Sequence, residues 1–415
     1  MQKLLLGFVV LVSPLVSQAA GFALIEQNAS GLGNAYAGAA AVAEDASTIF
    51  FNPAGMTYIK GTQVVGAVHL IKPDGHFNSQ GSVAGGGKPL GNEGGNIGDL
   101  AFIPNFYFKT DVNDSIKFGI GISAPFGLKT EYNKDWLGRF QAVKSDLKTI
   151  NINPALAFKV NDQLSLGFGL SAMWIQAELT NAVNFGRAGE GTAKVKGDDW
   201  GVGYNFGAIY QATNDTRFGI AFRSKVDQHL DGDVKFKRPP LIPNAGGARD
   251  GNVTADVTLP ETFSVSAFSK LNDTWDLLGD ITWTRWSRLQ DLTVLRDNGA
   301  LLDSTIEKWD NTLRYSVGAN YHYSDLIKLR AGLAFDEEAI SDEYRTARIP
   351  GNDRKWLALG AAWQVAPETK LDIGYAHLFI SDSDIDKDLR PAKGRVRGEY
   401  ESSVDILSLQ LTHNF

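Results

Sequence analysis

The sequence contains no cysteine. Disulfide bonds, thiolate metal sites and a cysteine nucleophile are therefore excluded. Long apolar runs are missing as well: after residue 20 no stretch of about 18 apolar residues occurs, which excludes a bundle of membrane-spanning helices. The net charge of −7 at pH 7 argues against a nucleic-acid partner.

The first residues have the pattern of an export signal. Lys3 precedes nine apolar residues that begin at Leu4, and Ser17 and Ala19 are small residues at the −3 and −1 positions of a cleavage site. Nine residues cannot cross about 30 Å of hydrocarbon as a helix. We therefore predict export, with residues 1–19 removed as a signal peptide.

Glycine (44 residues) and aromatic residues (11%) are plentiful, which favours β structure. Apolar residues occupy every second position from Ile116 to Phe126, and the same alternation recurs at 150–160, 164–174, 200–210, 313–321 and 371–379. A tilted transmembrane strand needs about 9–11 residues, whereas strands of soluble proteins usually have about 5 or 6. The length of these segments therefore favours membrane-spanning strands.

Short turns alternate with long polar connections along the chain. Six short turns lie at 112–114, 160–162, 213–215, 271–273, 323–325 and 366–368. Seven longer connections lie at about 72–99, 127–145, 180–198, 230–252, 288–308, 336–353 and 381–399. Thirteen connections join fourteen strands, and an even number with turns at one end and loops at the other is typical of outer-membrane barrels. We predict an all-β fold: a transmembrane antiparallel β-barrel of 14 strands over residues 61–415, in the outer membrane of a Gram-negative cell.

Residues 20–60 do not alternate. They are rich in small residues, and Asn52-Pro53 ends an alanine-rich stretch that has helical character. The segment is too apolar to be exposed to water in the periplasm. We therefore expect it to fill the lumen of the barrel as an N-terminal hatch, or plug.

Catalytic chemistry has little support in the sequence. The six histidines show no pair at the spacing of metal ligands. Two glycine patterns, at 119–124 and 167–172, match a dinucleotide-binding loop, but they lie within alternating strands instead of between a strand and a helix. We predict no catalytic residue, no metal and no cofactor. A barrel phospholipase with a serine–histidine pair is the enzymatic alternative.

Several motifs occur in order along the mature chain. They are Gly21-Phe22, Ser30-Gly31-Leu32-Gly33, Ala35-Tyr36, Glu44-Asp45-Ala46, Asn52-Pro53-Ala54, Pro125-Phe126-Gly127-Leu128, Leu259-Pro260-Glu261, Ile349-Pro350, Asp353-Arg354 and Trp356-Leu357. This set resembles the FadL-type family of outer-membrane transporters for long-chain fatty acids and other hydrophobic compounds. The resemblance implies a fourteen-stranded barrel plugged by a hatch, which agrees with the independent strand count. It also implies passive uptake by a monomer that delivers its solute to outer-membrane lipid.

The resemblance assigns roles to named residues. Phe22 matches the apolar residue that lines the family's ligand pocket, and the hatch motif Asn52-Pro53-Ala54 faces an inward kink of the third strand, where the wall opens sideways towards lipid. The segment Pro125-Phe126-Gly127 suits this kink, because proline removes a ladder donor and glycine weakens a strand. The alternative for Phe22 is a plain anchoring aromatic residue. The alternative for Pro125 and Gly127 is an ordinary strand end.

The expected site for a ligand carboxylate departs from the family. Fatty-acid transporters of this type use an arginine beyond the fifth strand and a lysine before the tenth, but Asn181 and Thr305 occupy these positions here. Arg187 and Lys308 lie nearby and are candidate carboxylate contacts, and Arg139 in Trp136-Leu137-Gly138-Arg139 is another. The alternative is that all three are solvated loop charges. Because the resemblance covers the whole mature chain, long-chain fatty acid remains the leading substrate despite this departure. A neutral aromatic hydrocarbon is the second, and a non-transporting structural barrel or adhesin is the third reading.

Overall fold

The computed structural model describes residues 21–240 and 242–415. The predicted signal peptide lies outside these residues. Among the residues described, no helix has the length and apolar character needed to cross a membrane.

Helices are short and lie mainly before the first strand. The α-helices are α1 (Ala29–Leu32), α2 (Ala39–Val42) and α3 (Thr48–Phe51), and 3₁₀ helices occur at Pro53–Tyr58, Gly85–Gly87, Gly186–Ala188, Gly246–Ala248 and Trp286–Arg288. The strands are β1 (Gln63–Ser79), β2 (Ala101–Asp111), β3 (Ile116–Ser123), β4 (Gly127–Glu131), β5 (Lys144–Lys159), β6 (Leu164–Asn184), β7 (Glu190–Gln211), β8 (Thr216–Arg223), β9 (Val226–Lys237), β10 (Gly251–Leu259), β11 (Thr262–Lys270), β12 (Trp275–Thr284), β13 (Asp291–Arg296), β14 (Leu301–Ile306), β15 (Thr312–His322), β16 (Ile327–Asp336), β17 (Arg354–Ala366), β18 (Thr369–Ile380), β19 (Ser383–Leu389) and β20 (Gly394–Asn414).

The strands form one closed antiparallel sheet. β1 pairs with β2 on one side and with β20 on the other, so the first and last strands seal the barrel. Six spans are each built from two strand segments: β3 with β4, β8 with β9, β10 with β11, β12 with β13, β14 with β15, and β18 with β19. Within the described residues, the twenty segments therefore make fourteen spans. The predicted fold is confirmed.

The short turns at one end of the barrel use the predicted side-chain chemistry. Asn113 Oδ1 accepts hydrogen bonds from the backbone N–H groups of Ser115 and Ile116, both at 2.9 Å. Asn161 and Asn272 make the same pair of bonds two and three residues further on. Each asparagine thus replaces backbone partners within the turn, which fixes its shape.

At the other end, the strands run further than the alternation predicts. β6 ends at Asn184 and β7 begins at Glu190, so most of the predicted loop at 180–198 is a long hairpin. β13 and β14 likewise occupy much of the predicted loop at 288–308. Beyond the membrane, neither face of a hairpin meets lipid, so backbone pairing continues without the alternation that marks a lipid-facing strand.

The segment before β1 lies inside the barrel, where the wall binds its backbone. Arg223 on β8 donates to Phe50 O, and Arg314 on β15 donates to Ala35 O, each at 2.8 Å. Because these arginines come from well-separated strands, the segment is held from different sides. This arrangement is the one expected of a hatch; its bounds of 20–60 stay a prediction.

Glycines in the wall make room for the hatch. A Cβ atom at Gly219 would lie 1.9 Å from Ala40 O, and one at Gly332 would lie 2.1 Å from the carbonyl carbon of Asn34. Any larger residue at these two positions would collide with backbone. The glycine content of the alternating strands therefore serves close packing of wall against hatch.

An ion cluster fixes the hatch near the turn end of the barrel; Arg330 and Asp372 are fully buried in it, and Glu44 is largely buried. Glu44 Oε1 accepts hydrogen bonds from Lys328 at 3.0 Å, Arg330 at 2.8 Å and Lys370 at 2.9 Å. Arg330 also pairs with Asp372 at 2.7 Å. Burial by itself would raise the pKa of Glu44, but Arg330, Lys328 and Lys370 outweigh burial and hold this pKa well below its usual value.

Replacing Glu44 with Gln should loosen the hatch. Removing one partner from a buried ion cluster costs about 3–5 kcal/mol, because the remaining charges stay buried without compensation. We expect Glu44→Gln to raise the ionic conductance of single channels in planar bilayers, while the barrel still inserts. Glu131→Gln, at an exposed position on β4, is the control. Unchanged conductance in Glu44→Gln would contradict the anchoring role.

The same cluster predicts a pH dependence. Because the pKa of Glu44 is lowered, its stabilising contribution is fully present above the usual value of 4.5 and is lost only as the pH falls through the lower folded-state pKa. Wild-type conductance should therefore stay low near pH 4.5 and rise only in stronger acid.

Candidate functional site

The third span, formed by β3 and β4, contains a break that opens the wall. β3 pairs with β2 only as far as Phe106 and Ile122. Beyond that point, within the described residues, 101–105 of β2 pair with β1 alone, and β4 pairs with β5 alone. A gap therefore separates β2 from β4.

The N-terminal end of the hatch occupies this break. It pairs antiparallel with the segment Pro125-Phe126-Gly127: Leu24 N donates to the proline carbonyl at 2.8 Å, and the glycine N–H donates to Phe22 O at 3.0 Å. Proline has no N–H group, so the span can leave the sheet there without stranding a donor. The sequence-predicted kink thus lies at the break, in contact with the hatch.

A cavity of about 820 Å³ lies behind the gap, and we call it the inner cavity. Hatch and wall both contribute to its apolar lining, which includes Leu24, Ile25, Phe51, Ile71, Ile103 and Leu378. Phe102, Pro104 and Ile122, which flank the gap, line the same cavity. The inner cavity is therefore continuous with the gap in the wall.

One end of the inner cavity is polar. Glu26, Arg314, Asp336 and Arg354 line it there, and the guanidinium of Arg314 lies 5.1 Å from the ring of Trp356. Burial raises the pKa of Glu26 to about 7, although Arg354 and Arg314 oppose the shift. The cavity thus combines a long apolar wall with charged groups against the hatch.

A second cavity, of about 100 Å³, lies between the loop-end halves of the strands, and we call it the outer cavity. Its lining is mostly aliphatic and includes Ile175, Ala177, Leu230, Val257 and Leu292. Four charged residues also line it: Asp146, Lys196, Glu307 and Arg348. Burial raises the pKa of Glu307 to about 7, despite the hydrogen bond that its carboxylate accepts from Trp309.

Phe22 forms part of the partition between the two cavities, because it lines both. Its ring lies 5.0 Å from that of Trp286, 5.7 Å from that of Trp309 and 6.0 Å from that of Phe126, all in edge-on geometry. The structure thus places Phe22 at the ligand-sized cavities, where the sequence predicts a lining residue.

The hatch motif Asn52-Pro53-Ala54 anchors the hatch elsewhere. Asn52 is fully buried, and its amide donates to Ala40 O at 2.7 Å, Ala208 O at 3.1 Å and Ile220 O at 3.2 Å. These partners lie in the hatch and on β7 and β8, and the motif lines neither cavity. The expectation that it faces the kink of the third span is therefore corrected.

The three predicted carboxylate contacts lie away from both cavities. Arg139 forms a bidentate ion pair with Glu190, at 2.8 and 2.9 Å, and its guanidinium also binds backbone carbonyls. Lys308 is exposed and donates to Tyr344 at 2.9 Å, while Arg187 is exposed in the turn between β6 and β7. The structure thus corrects this assignment: local partners or solvent already satisfy these charges.

Two cations that the sequence analysis missed do line the outer cavity. Arg348 donates to the carbonyl of Gln141 at 3.1 Å and to the hydroxyl of Ser145 at 3.2 Å. Lys196 lies on β7, within the stretch that the sequence suggested to be a loop. Arg348 directly precedes the family-like motif Ile349-Pro350, and this adjacency is the signal that could have revealed it.

The chain matches the family model described as outer membrane protein transport protein (OMPP1/FadL/TodX) over residues 9–415. It belongs to this family. The long-chain fatty acid transport protein of Escherichia coli O6:H1 is 30% identical over 399 residues, covering 86% of each chain. Outer membrane protein P1 of Haemophilus influenzae is 33% identical over 403 residues, covering 87% of this chain and 86% of that protein.

Solved structures agree with the family assignment. The crystal structure of a Pseudomonas aeruginosa FadL homologue has a TM-score of 0.88 at 26% identity and covers 95% of this chain and 100% of that one. The Ralstonia pickettii toluene transporter TbuX shares the fold at a TM-score of 0.69 and 19% identity, over 94% of this chain and 98% of that one. This family member is a multi-pass protein of the Gram-negative outer membrane, as predicted.

Closing the break should block the gap. Replacing Pro125 with Val and Gly127 with Ala restores a ladder donor and adds a Cβ atom, which would lie 2.8 Å from Leu24 Cδ1 and so disturb the hatch end in the break. We expect this double variant to lower uptake of labelled oleate by cells several-fold, with normal heat-modifiable gel mobility. Pro154→Val, in the unbroken β5, is the control. Normal uptake in the double variant would mean that solute leaves by another route.

Proposed function

We propose that this protein carries long-chain fatty acids and related hydrophobic molecules passively across the outer membrane. Solute would enter the outer cavity, pass Phe22 into the inner cavity, and leave sideways through the gap between β2 and β4. The observation that carries this proposal is the continuity of the inner cavity with the gap. An apolar cavity favours an acyl chain over water by about 25 cal/mol per Å² of apolar surface buried. The Escherichia coli relative, named as a long-chain fatty acid transport protein, supports the same substrate class.

A neutral aromatic hydrocarbon is the second candidate substrate. The outer cavity, at about 100 Å³, is of the same order as an engineered cavity of about 150 Å³ that binds benzene. Its partition is aromatic, with Phe22 against Trp286 and Trp309. A long acyl chain would instead have to extend past this partition, so the two substrate classes place different demands on Phe22.

We further propose that the protein works as a monomer and without catalysis. β1 and β20 of one chain pair with each other, so a single copy forms a closed barrel. Outer-membrane lipid would be the receiving phase, since the exposed rings and side chains of Phe102, Phe106 and Ile122 flank the gap. A transport role accounts for both cavities without a reaction at either.

Passage of solute would require the partition to move. Five residues line both cavities: Phe22, Leu128, Asp146, Leu147 and Ile349. Of these, Phe22 belongs to the hatch end. Within the described residues, this end is joined to the broken span by two backbone hydrogen bonds and by one from the Gln27 side chain to Ala124 O at 3.2 Å. Withdrawal of this end would merge the two cavities and leave the rest of the barrel intact.

Locking the hatch end should stop transport. Ala23 and Phe126 are directly opposed and flanked by the two hydrogen bonds, an arrangement that brings Cα atoms to about 4.5 Å, within the range a disulfide accepts. Because the wild type has no cysteine, Ala23→Cys with Phe126→Cys would form a specific cross-link. We expect oleate uptake to be lost under oxidation and restored by reductant. The single Phe126→Cys variant controls for the lost ring, and uptake that persists in the oxidised double variant would disprove the need for this movement.

Charge in the outer cavity should distinguish the two substrates. A hydrogen bond to a charged group contributes roughly 1.5–3 kcal/mol, so Arg348→Gln and Lys196→Gln should each weaken oleate binding about tenfold. Toluene binding to the same purified variants should stay unchanged. Lys308→Gln and Arg187→Gln, which alter cations outside both cavities, are the matched controls. If oleate affinity falls only in the Lys308 and Arg187 variants, these residues bind the carboxylate, as the sequence predicts. If no variant changes oleate affinity, a neutral aromatic hydrocarbon becomes the better-supported substrate.

A further inference from the structure

Beside the gap, the apolar, lipid-facing belt on the outside of the barrel ends at a defined position on its extracellular side. On β5, Ile150, Leu156 and Phe158 expose large apolar side chains at alternate, outward positions. Lys148 takes the next position of this outward series towards the extracellular end, and its side chain is 64% exposed. The series therefore changes from lipid-facing to polar at Lys148, on the edge of the gap.

A second lysine lies next to it across the strand pair. Gly127 of β4 is opposite Lys148, and Lys129 is opposite Asp146, so the two lysines are diagonal neighbours on one face. Both lysines line the inner cavity. They therefore form a cationic rim where the cavity, the gap and the upper limit of the belt meet.

The partners of these lysines are easily exchanged. Lys129 pairs with Asp99, whose side chain is 56% exposed, and Lys148 lies 3.4 Å from Asp146. Asp146 also pairs with Lys144 at 3.2 Å, so it keeps a cation if Lys148 turns away. The Lys129–Asp99 pair is exposed, and such pairs contribute only about 0–1 kcal/mol, so a carboxylate from another molecule can replace Asp99. Asp146 is buried, but it retains Lys144 when the carboxylate takes Lys148.

We propose that Lys129 and Lys148 form an exit site that holds the carboxylate of a fatty acid while its acyl chain leaves the inner cavity through the gap. This inference rests on the proposed function. An ionised carboxylate cannot enter hydrocarbon unpaired, so the head group needs a partner at the level where the chain enters lipid. Lysine side chains reach from an apolar surface to the polar interface, which suits them to this task. With the head group at the rim, the chain lies along Phe102, Pro104 and Ile122, which line the gap.

The exit site predicts a preference that depends on charge and acts late in transport. Oleyl alcohol has the chain of oleate without its negative charge, so it should pass the gap with no benefit from the lysines. The outer cavity and the rim can be separated experimentally, because Lys129 and Lys148 line only the inner cavity.

The test is uptake of labelled oleate and labelled oleyl alcohol by cells that depend on this protein. We expect Lys129→Gln with Lys148→Gln to slow oleate uptake about tenfold and to change oleyl alcohol uptake less than twofold. Lysine-to-arginine substitution at both positions should preserve oleate uptake. Lys72→Gln is the matched control, because Lys72 is exposed on β1 and does not line the inner cavity.

Other outcomes overturn the exit site in distinguishable ways. Equal loss of oleate and oleyl alcohol uptake would show that the lysines act on lipid packing or on the strand itself. An effect of Lys72→Gln as large as that of the double variant would show a general effect of surface charge, such as contact with anionic lipid headgroups. Normal oleate uptake in the double variant would remove the exit site and leave the proposed function standing. Absence of oleate uptake in the wild type would remove the proposed function itself.

Discussion

The structure depends on how the backbone is satisfied where the third span breaks. Hydrocarbon offers no hydrogen-bonding partners, so a gap in a transmembrane sheet normally leaves several costly unpaired groups. Here the hatch and a neighbouring strand supply them. Leu24 and Gln27 donate to the carbonyls of Pro125 and Ala124, and the hydroxyl of Thr149 bonds both backbone groups of Phe126. The broken span is stable because the hatch and β5 supply the hydrogen-bonding partners that the sheet does not.

This arrangement links the opening in the wall to the inner and outer cavities. The hatch end that satisfies the broken span also carries Phe22, which lies between the outer and inner cavities. A solute that displaces Phe22 would therefore disturb the pairing at the gap. Coupling of this kind needs no energy source, because the solute's own burial supplies the free energy for the displacement.

The rest of the hatch must stay in place while its end moves, and its polar anchors serve this need. Asn52 binds three backbone carbonyls, and Glu44 binds three cations of the wall. Groups of this kind are strongly held, since a lumen of low dielectric makes an unpaired charge or amide expensive. The hatch end is held differently, by hydrogen bonds of Leu24, Gly127 and Gln27 at the broken span and by one that Gly21 O accepts from Arg354. Glu44 and Asn52 thus fix the body of the plug, and we propose that its end moves.

Local patterns in the sequence determined the barrel, its fourteen spans, the asparagine turns and the hatch, because period-two alternation and turn chemistry are read from neighbouring residues. The kink at Pro125 was instead implied by the family resemblance, to which a proline and a glycine in the strand are suited. Tertiary structure alone decided which charges reach the cavities. Arg348 enters the outer cavity from a late loop, whereas Arg139, a candidate from the sequence, is paired with Glu190. Contacts between residues so far apart depend on how the closed barrel arranges its strands and loops, and no local pattern encodes them.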